Sequence, residues 1–297
     1  HDALDRQEQA GRQERQLSFP YDEALKAGPR RETSSAFHFL RPNPGWRAIR
    51  EFAIGLYMNS DETNLARAAT KLHGYWQAAY AAFAEYPSPE ILDASPLLDA
   101  EKILLELRSA PLANLSGNAL SGYATSAMTT VGGVKEYRHY LPRILQHAFL
   151  TPSEPGFDPL IILSKLEYAN WRRWPVSERS AIENVYRASW HWARLQHPDE
   201  FDATNWFACV IRLEKDIDSV LKSWLSNLTP NSALQLADVI SRSDGLPYGR
   251  SFWEDLDLAT RRTIADWLCG DGLQAAIVAV VDNVADRDMW RIDSIEA

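Results

Sequence analysis

Cysteine is scarce in this chain of 297 residues: only Cys209 and Cys269 occur, sixty positions apart. There is no CxxC pair and no Cys/His cluster, so the spacing that a structural zinc site needs is missing. Both cysteines fall inside apolar helical patterns, which predicts two buried free thiols rather than a disulfide. Long hydrophobic runs are missing too. No stretch of 18 apolar residues exists, so no membrane span is expected. The opening HDALDRQEQAGRQERQ is polar and has no apolar segment of the kind a secretory signal requires, and a cytoplasmic protein is the default expectation. HExxH and GxSxG are absent, and strand alternation bounded by Asn-Gly hairpin signals does not appear.

What is present is ordinary globular material, 45% apolar and 24% charged, with eleven Trp and eleven Tyr to anchor a core. The formal net charge of −9 is unevenly placed. Residues 1–197 hold 22 Lys/Arg and 22 Asp/Glu, whereas residues 198–297 hold 9 and 18. The whole excess therefore lies in the last third. Such a surface repels nucleic acid and steers basic partners.

Residues 1–44 carry Pro20, Pro29, Pro42 and Pro44 and no steady apolar period, which predicts an extended or partly ordered arm. From residue 45 to 297 the pattern is that of one helical domain. Trp46, Ile49, Phe52, Ala53 and Leu56 share a helical face, and Ser60-Asp61-Glu62 is a helix start before the stripe Leu65, Ala69, Leu72, Trp76 and Tyr80. Further helices are expected near 96–108, 119–129, 177–195, 203–226, 232–242, 253–269 and 272–285, with SAPLANLSGN as a loop and Gly270 and Gly272 as C-caps between the last two. Ten to twelve helices with short links imply an all-α fold of stacked antiparallel helix pairs, an irregular α-solenoid or a multi-helix bundle. No repeat supports a regular solenoid.

Chemistry has few footholds. The carboxylates Asp216, Asp218, Glu254, Asp255 and Asp257 are candidates for contacting a basic partner, although i and i+2 carboxylates on a helix do not converge on a cation. The stretch KEYRHYLPRILQ (135–146) packs cations among aromatics. Tyr137, Arg138, His139 and Arg143, together with Trp171, are the alternative candidates for lining a pocket between helices. The more economical reading makes this stretch a core helix. Pro142 then sits in the first helical turn, and Arg138 and Arg143 bind helix carboxyl ends or the carboxylates Glu101, Glu106 or Glu167. No cofactor, metal or nucleic acid is implied.

Tyr137, Arg138, Tyr140, Leu141, Pro142, Arg143, Ile144 and Leu145, then Lys165, Leu166, Ala169, Trp171, Trp174 and Pro175, form a pattern that resembles a group of bacterial all-helical proteins with a Tyr-Arg-x-Tyr-Leu-Pro-Arg-Ile-Leu motif. The resemblance spans roughly 65–285 and implies a shared fold but no activity. HDALDRQ and FPYDEAL also resemble, faintly, the repeats of Rhs-type toxin shells, and Met58 before the helix start allows residues 1–57 to be an added arm. Together these readings favour a protein-binding module, specifically an immunity protein that neutralises a basic secreted toxin. The alternatives are an enzyme or small-ligand binder and an oligomeric helical scaffold.

Overall fold

Among the described residues the longest helix begins where a serine and two acids mark a start, and it runs 23 residues, Ser60–Ala82 (α1). The computed structural model describes residues 60–226, 228–243, 246–248 and 252–293. The arm at 1–44, the helical face from Trp46 to Leu56 and the proposed boundary at 57 lie outside them. Residues 67–297 cluster as one unit, and the packing below concerns that unit.

Among the described residues the fold is all-α. After α1 come Ala100–Leu107 (α2), Gly117–Ser126 (α3), Val134–Leu150 (α4), Pro159–Tyr168 (α5), Val176–Ala193 (α6), Thr204–Leu213 (α7), Ile217–Leu225 (α8), Pro230–Ser241 (α9), Leu258–Leu268 (α10), Asp271–Val281 (α11) and Met289–Asp293 (α12). Short 3-10 turns occupy Leu112–Asn114, Trp171–Arg173 and Asp286–Asp288, so the expected loop at 109–118 contains one turn and the start of α3. Among the described residues the only extended pairings are isolated bridges of Val131 with Ala94 and Ala127.

Local chemistry explains most boundaries. Asp158 accepts hydrogen bonds from the Leu160 and Ile161 amides, and Pro159 opens α5 where its missing N–H costs nothing. Thr229 and Pro230 repeat the device at α9. Two expectations fail at boundaries. The predicted helix 203–226 is two helices, because Glu214 is extended and Asp216 turns its carboxylate to the Ser219 amide, 3.1 Å away, to start α8. Gly270 is the N-cap of α11, at φ −82°, and the residue closing α10 is Cys269. That places Cys269 at the surface, against expectation, while Cys209 is buried as expected and its thiol is pushed up by burial.

The core is centred on α4. Leu141 through Ala148 are all buried, so this part of the helix is enclosed on every side. Pro142 lies well inside it rather than in the first turn, which Gly133 and Glu136 occupy: the Glu136 carboxylate takes the Gly133 amide at 2.8 Å. The proline removes one backbone bond to Arg138 inside the helix, a cost offset by enclosure of the flanking side chains. α1 runs antiparallel to α4, as shown by Trp76 against Phe149, Tyr80 on Gln146 and Tyr86 on Arg138. α7 packs on α5, α6 and α9, while α9 also meets α11 and α12. Trp190, Phe207, Trp224 and Trp253 interlock edge to face or tilted across α6, α7, α8 and the loop before α10.

Candidate functional site

The five acidic candidates remain at the surface, yet three of them have structural duties. Asp216 caps α8, and Asp257 caps α10 through the Thr260 amide (2.9 Å) and hydroxyl (2.8 Å). Those bonds hold the Asp257 carboxyl below its usual range. Asp255 forms a two-pronged pair with Arg212, one prong at 3.1 Å. Asp218 and Glu254 are exposed. A surface depression of ≈ 490 Å³ includes Asp216 and Asp218 with Ser219, Lys222 and Ser223. All its described walls belong to α8 and its ends, so no second element opposes them to enclose a ligand.

The alternative pocket does not assemble. Tyr137 and Trp171 are fully buried. Trp171 Nε1 donates to Glu167 (2.9 Å), and burial pushes the Tyr137 phenol far up. Arg138 lies 4.0 Å above the Trp174 ring, donates to the Tyr86 hydroxyl at 2.5 Å and pairs with the buried Glu178 at 3.7 Å. Arg143 meets none of the expected carboxylates. Its Nε donates to the Leu115 carbonyl (2.7 Å), at the end of the 3-10 turn Leu112–Asn114, and its Nη1 to Gln146 (2.6 Å). His147 donates from Nε2 to the same carbonyl at 2.9 Å, and burial with Arg143 nearby drives its pKa down to about 4. These groups hold the protein together, and Tyr137, Arg138, Arg143 and Trp171 line neither the depression on α8 nor a second one beside α2.

One of the five, His139, does border a cavity. A depression of ≈ 400 Å³ lies between the N-terminal half of α4 and the segment after α2, lined by Ser88, Arg108, Pro111, Leu112, His139 and Tyr140 among others. The His139 Nδ1 lies 2.7 Å from the Tyr86 carbonyl, so that nitrogen carries the proton and donates. Burial lowers the pKa of this ring and keeps it neutral, while burial raises the Tyr140 phenol beside it.

Next to this depression runs a strap, residues 89–98, that leads into α2. It is pinned at three points: Arg108 Nη2 to the Pro89 carbonyl (2.7 Å), the Gly132 amide to Asp93 (2.7 Å) and the Ser95 amide to Thr130 (2.8 Å). Leu92 faces inward, at 4% exposure. Ile91, Leu97 and Leu105 do the opposite, at 80%, 93% and 73% exposure, with Leu98 at 39%. Exposed Glu90, Asp93, Glu101 and Glu106 stand among them. Single exposed aliphatics are commonplace, but four within residues 91–105 of one pinned segment are an unusual concentration. The sequence signal for it was available in ILDASPLLDAEKILLEL, whose apolar residues are too many for one buried face.

A His197, Asp199 and Asp288 trio has ligand atoms within 4.8 Å of one another. Its hydrogen bonding argues against a metal. The Asp199 amide donates to His197 Nδ1 at 3.2 Å, which occupies that nitrogen, and Nε2 lies 3.3 Å from the Asp288 carboxylate. Arg291 supplies the remaining positive charge, reaching Asp199 at 2.5 Å and Asp238 at 2.6 and 2.8 Å. With Arg291 and Asp238 the trio forms a clasp that fastens α12 and the 3-10 turn before it to α9 and to the loop after α6.

Comparison of the chain with family models, curated proteins and solved structures returned no match.

Proposed function

We propose that this protein is a binding module for a basic protein partner, and that its role is to neutralise such a partner, as an immunity protein neutralises a basic secreted toxin. The observation that carries the reading is the charge excess of residues 198–297, 18 acids against 9 bases. Pairing one acid with one base cannot remove that excess. The pairs Arg212–Asp255, Arg242–Asp202, Arg287–Asp288 and Arg291–Asp199 and Asp238 use four of the arginines on part of the acids. Asp218, Glu254, Asp266, Asp271, Asp282 and Asp286 remain exposed. A field of one sign over that surface speeds encounter with cations and selects against acidic partners.

The test is fluorescence anisotropy with a Lys-rich helical peptide and its Glu-rich counterpart at low and high salt. Binding of the Lys peptide alone, weakening as salt rises, is expected. Absence of binding at low salt, or binding indifferent to salt, overturns the reading. The neutralising role is tested separately, by asking whether expression of the protein relieves growth arrest caused by the product of an adjacent gene.

A second reading, a small-ligand site, is favoured by one feature: the ≈ 400 Å³ depression falls within the size range of ligand pockets and mixes apolar walls with Arg108 and the neutral His139. A fragment screen followed by thermal shift decides it, since a real ligand raises the melting temperature of the wild type and not of a Leu112→Trp variant that fills the space.

A further inference from the structure

The geometry points to the strap and α2, residues 89–108, as a docking face for an amphipathic helix rich in Lys and Arg. This inference rests on the reading of a basic partner and adds where and how it is held. The acidic C-terminal segment has charge, and its exposed large apolar side chains, Tyr248, Leu258, Val278 and Trp290, fall on separate elements, so it supports steering. The strap has both components. Its exposed aliphatics Ile91, Leu97, Leu98 and Leu105 supply the area that an apolar helix face covers, and Glu90, Asp93, Glu101 and Glu106 stand where the cationic flank of such a helix would lie.

The face is prepared for binding. Three backbone or guanidinium ties fix the strap to α2 and to the 130–132 turn, and Asp99 caps α2 through the Lys102 amide at 2.9 Å. Little ordering is then left to do on association. The adjoining depression, floored by Leu112, Pro111 and Tyr140, offers a socket for one protruding side chain. Carboxylates on the rim oppose adsorption to anionic lipid, and they oppose pairing with a second copy, which would bring the same acids face to face.

The experiment compares the wild type with Leu97→Asp/Leu105→Asp and with Glu101→Lys/Glu106→Lys. All four side chains are at the surface, and equal thermal melts establish intact folding. The probe is a synthetic Lys/Leu amphipathic helix, with a Glu/Leu helix as its mirror in charge. The aspartate pair is expected to weaken the Lys/Leu probe by about tenfold or more, and the lysine pair to shift preference toward Glu/Leu. If the wild type binds Lys/Leu with salt dependence but both variants bind it unchanged, the docking face is wrong while the reading of a basic partner stands. If the wild type does not bind the probe at low salt, that reading itself fails. Tighter binding to phosphatidylglycerol vesicles than to the probe overturns the assignment in favour of a membrane. Self-association lost in the aspartate pair overturns it in favour of a second copy.

Discussion

The helix α4 and the final segment α10–α12 solve the same problem, the placement of charge, in opposite ways. In and around α4 the most deeply buried cations are answered by neutral groups, while the half-buried Arg138 pairs with the Glu178 carboxylate. Arg143 has the Leu115 carbonyl and Gln146, Lys165 has the carbonyls of Thr125 and Ala127 at 3.0 and 2.8 Å, and Arg194 has the Ser223 carbonyl at 3.1 Å and the face of Trp190. Burial accordingly lowers the Lys165 ammonium and brings Arg194 down to about 10. Around α10–α12 the cations lie nearer water and are answered by carboxylates, as in Arg291 with Asp199 and Asp238 or Arg212 with Asp255. The apolar side follows suit. α4 is enclosed, whereas α11 buries only Leu273 and Ile277 and leaves Val278 64% exposed. The first arrangement fixes a structure in a low-dielectric interior, where an acceptor at fixed geometry matters more than an opposite charge. The second leaves charge available to the solvent and to partners, and its contribution to stability is sensitive to salt.

Four measurements test that contrast. Replacing Trp171, fully buried beside α5, by Ala is expected to cost about 3–5 kcal/mol, read as a shifted denaturation midpoint. Acid comes next. The His147 pKa is 6.5 when unfolded and about 4 when folded. The unfolded chain thus takes up the proton first, and stability falls as pH drops through 6.5 and continues to fall until about 4. The loss is on the order of 3 kcal/mol; burial depresses His73 and His139 as well, in the same direction. A His147→Gln variant is expected to show a flatter profile of melting temperature against pH over that window. Third, Arg291→Ala removes the centre of the C-terminal clasp and is expected to cost about 1 kcal/mol, a penalty that shrinks in high salt. An unchanged penalty at high salt would place this clasp with the α4 chemistry and break the contrast. Smallest is Trp290→Ala, at a side chain 60% exposed, expected within about 0.5 kcal/mol of the wild type.

The all-α class was readable because helical periodicity and proline punctuation are local, and Pro159, Pro175 and Pro230 stand at helix starts in the structure. The break between α7 and α8 was hidden because neither Pro nor Gly marks it. It depends on Glu214 reaching Arg187 of α6, a partner 27 residues away. Pro142 misled for a related reason: a proline favours a first turn locally, and only enclosure by the rest of the fold keeps it in the middle of α4. The candidate site was legible as a list of residue types and not as a place. Arg138 and Arg143 make polar contacts of the right kind, but with packed neighbours, and Tyr137 is a buried core ring. The depression beside His139 draws Ser88, Arg108 and Pro111 from the loops around α2, which no spacing rule connects.

Lys165 illustrates what the α4 region gains from its solution. The carbonyls at the end of α3 point at an ammonium carried by α5. In many proteins such an outlet of partial negative charge is filled by a dissolved ion that comes and goes. This chain supplies the ion on a tether, at an effective concentration that no buffer changes. The junction of α3 and α5 should therefore be indifferent to whether the solution contains sodium, potassium or neither, and Lys165 should be the last lysine of the described residues to react with an acylating reagent.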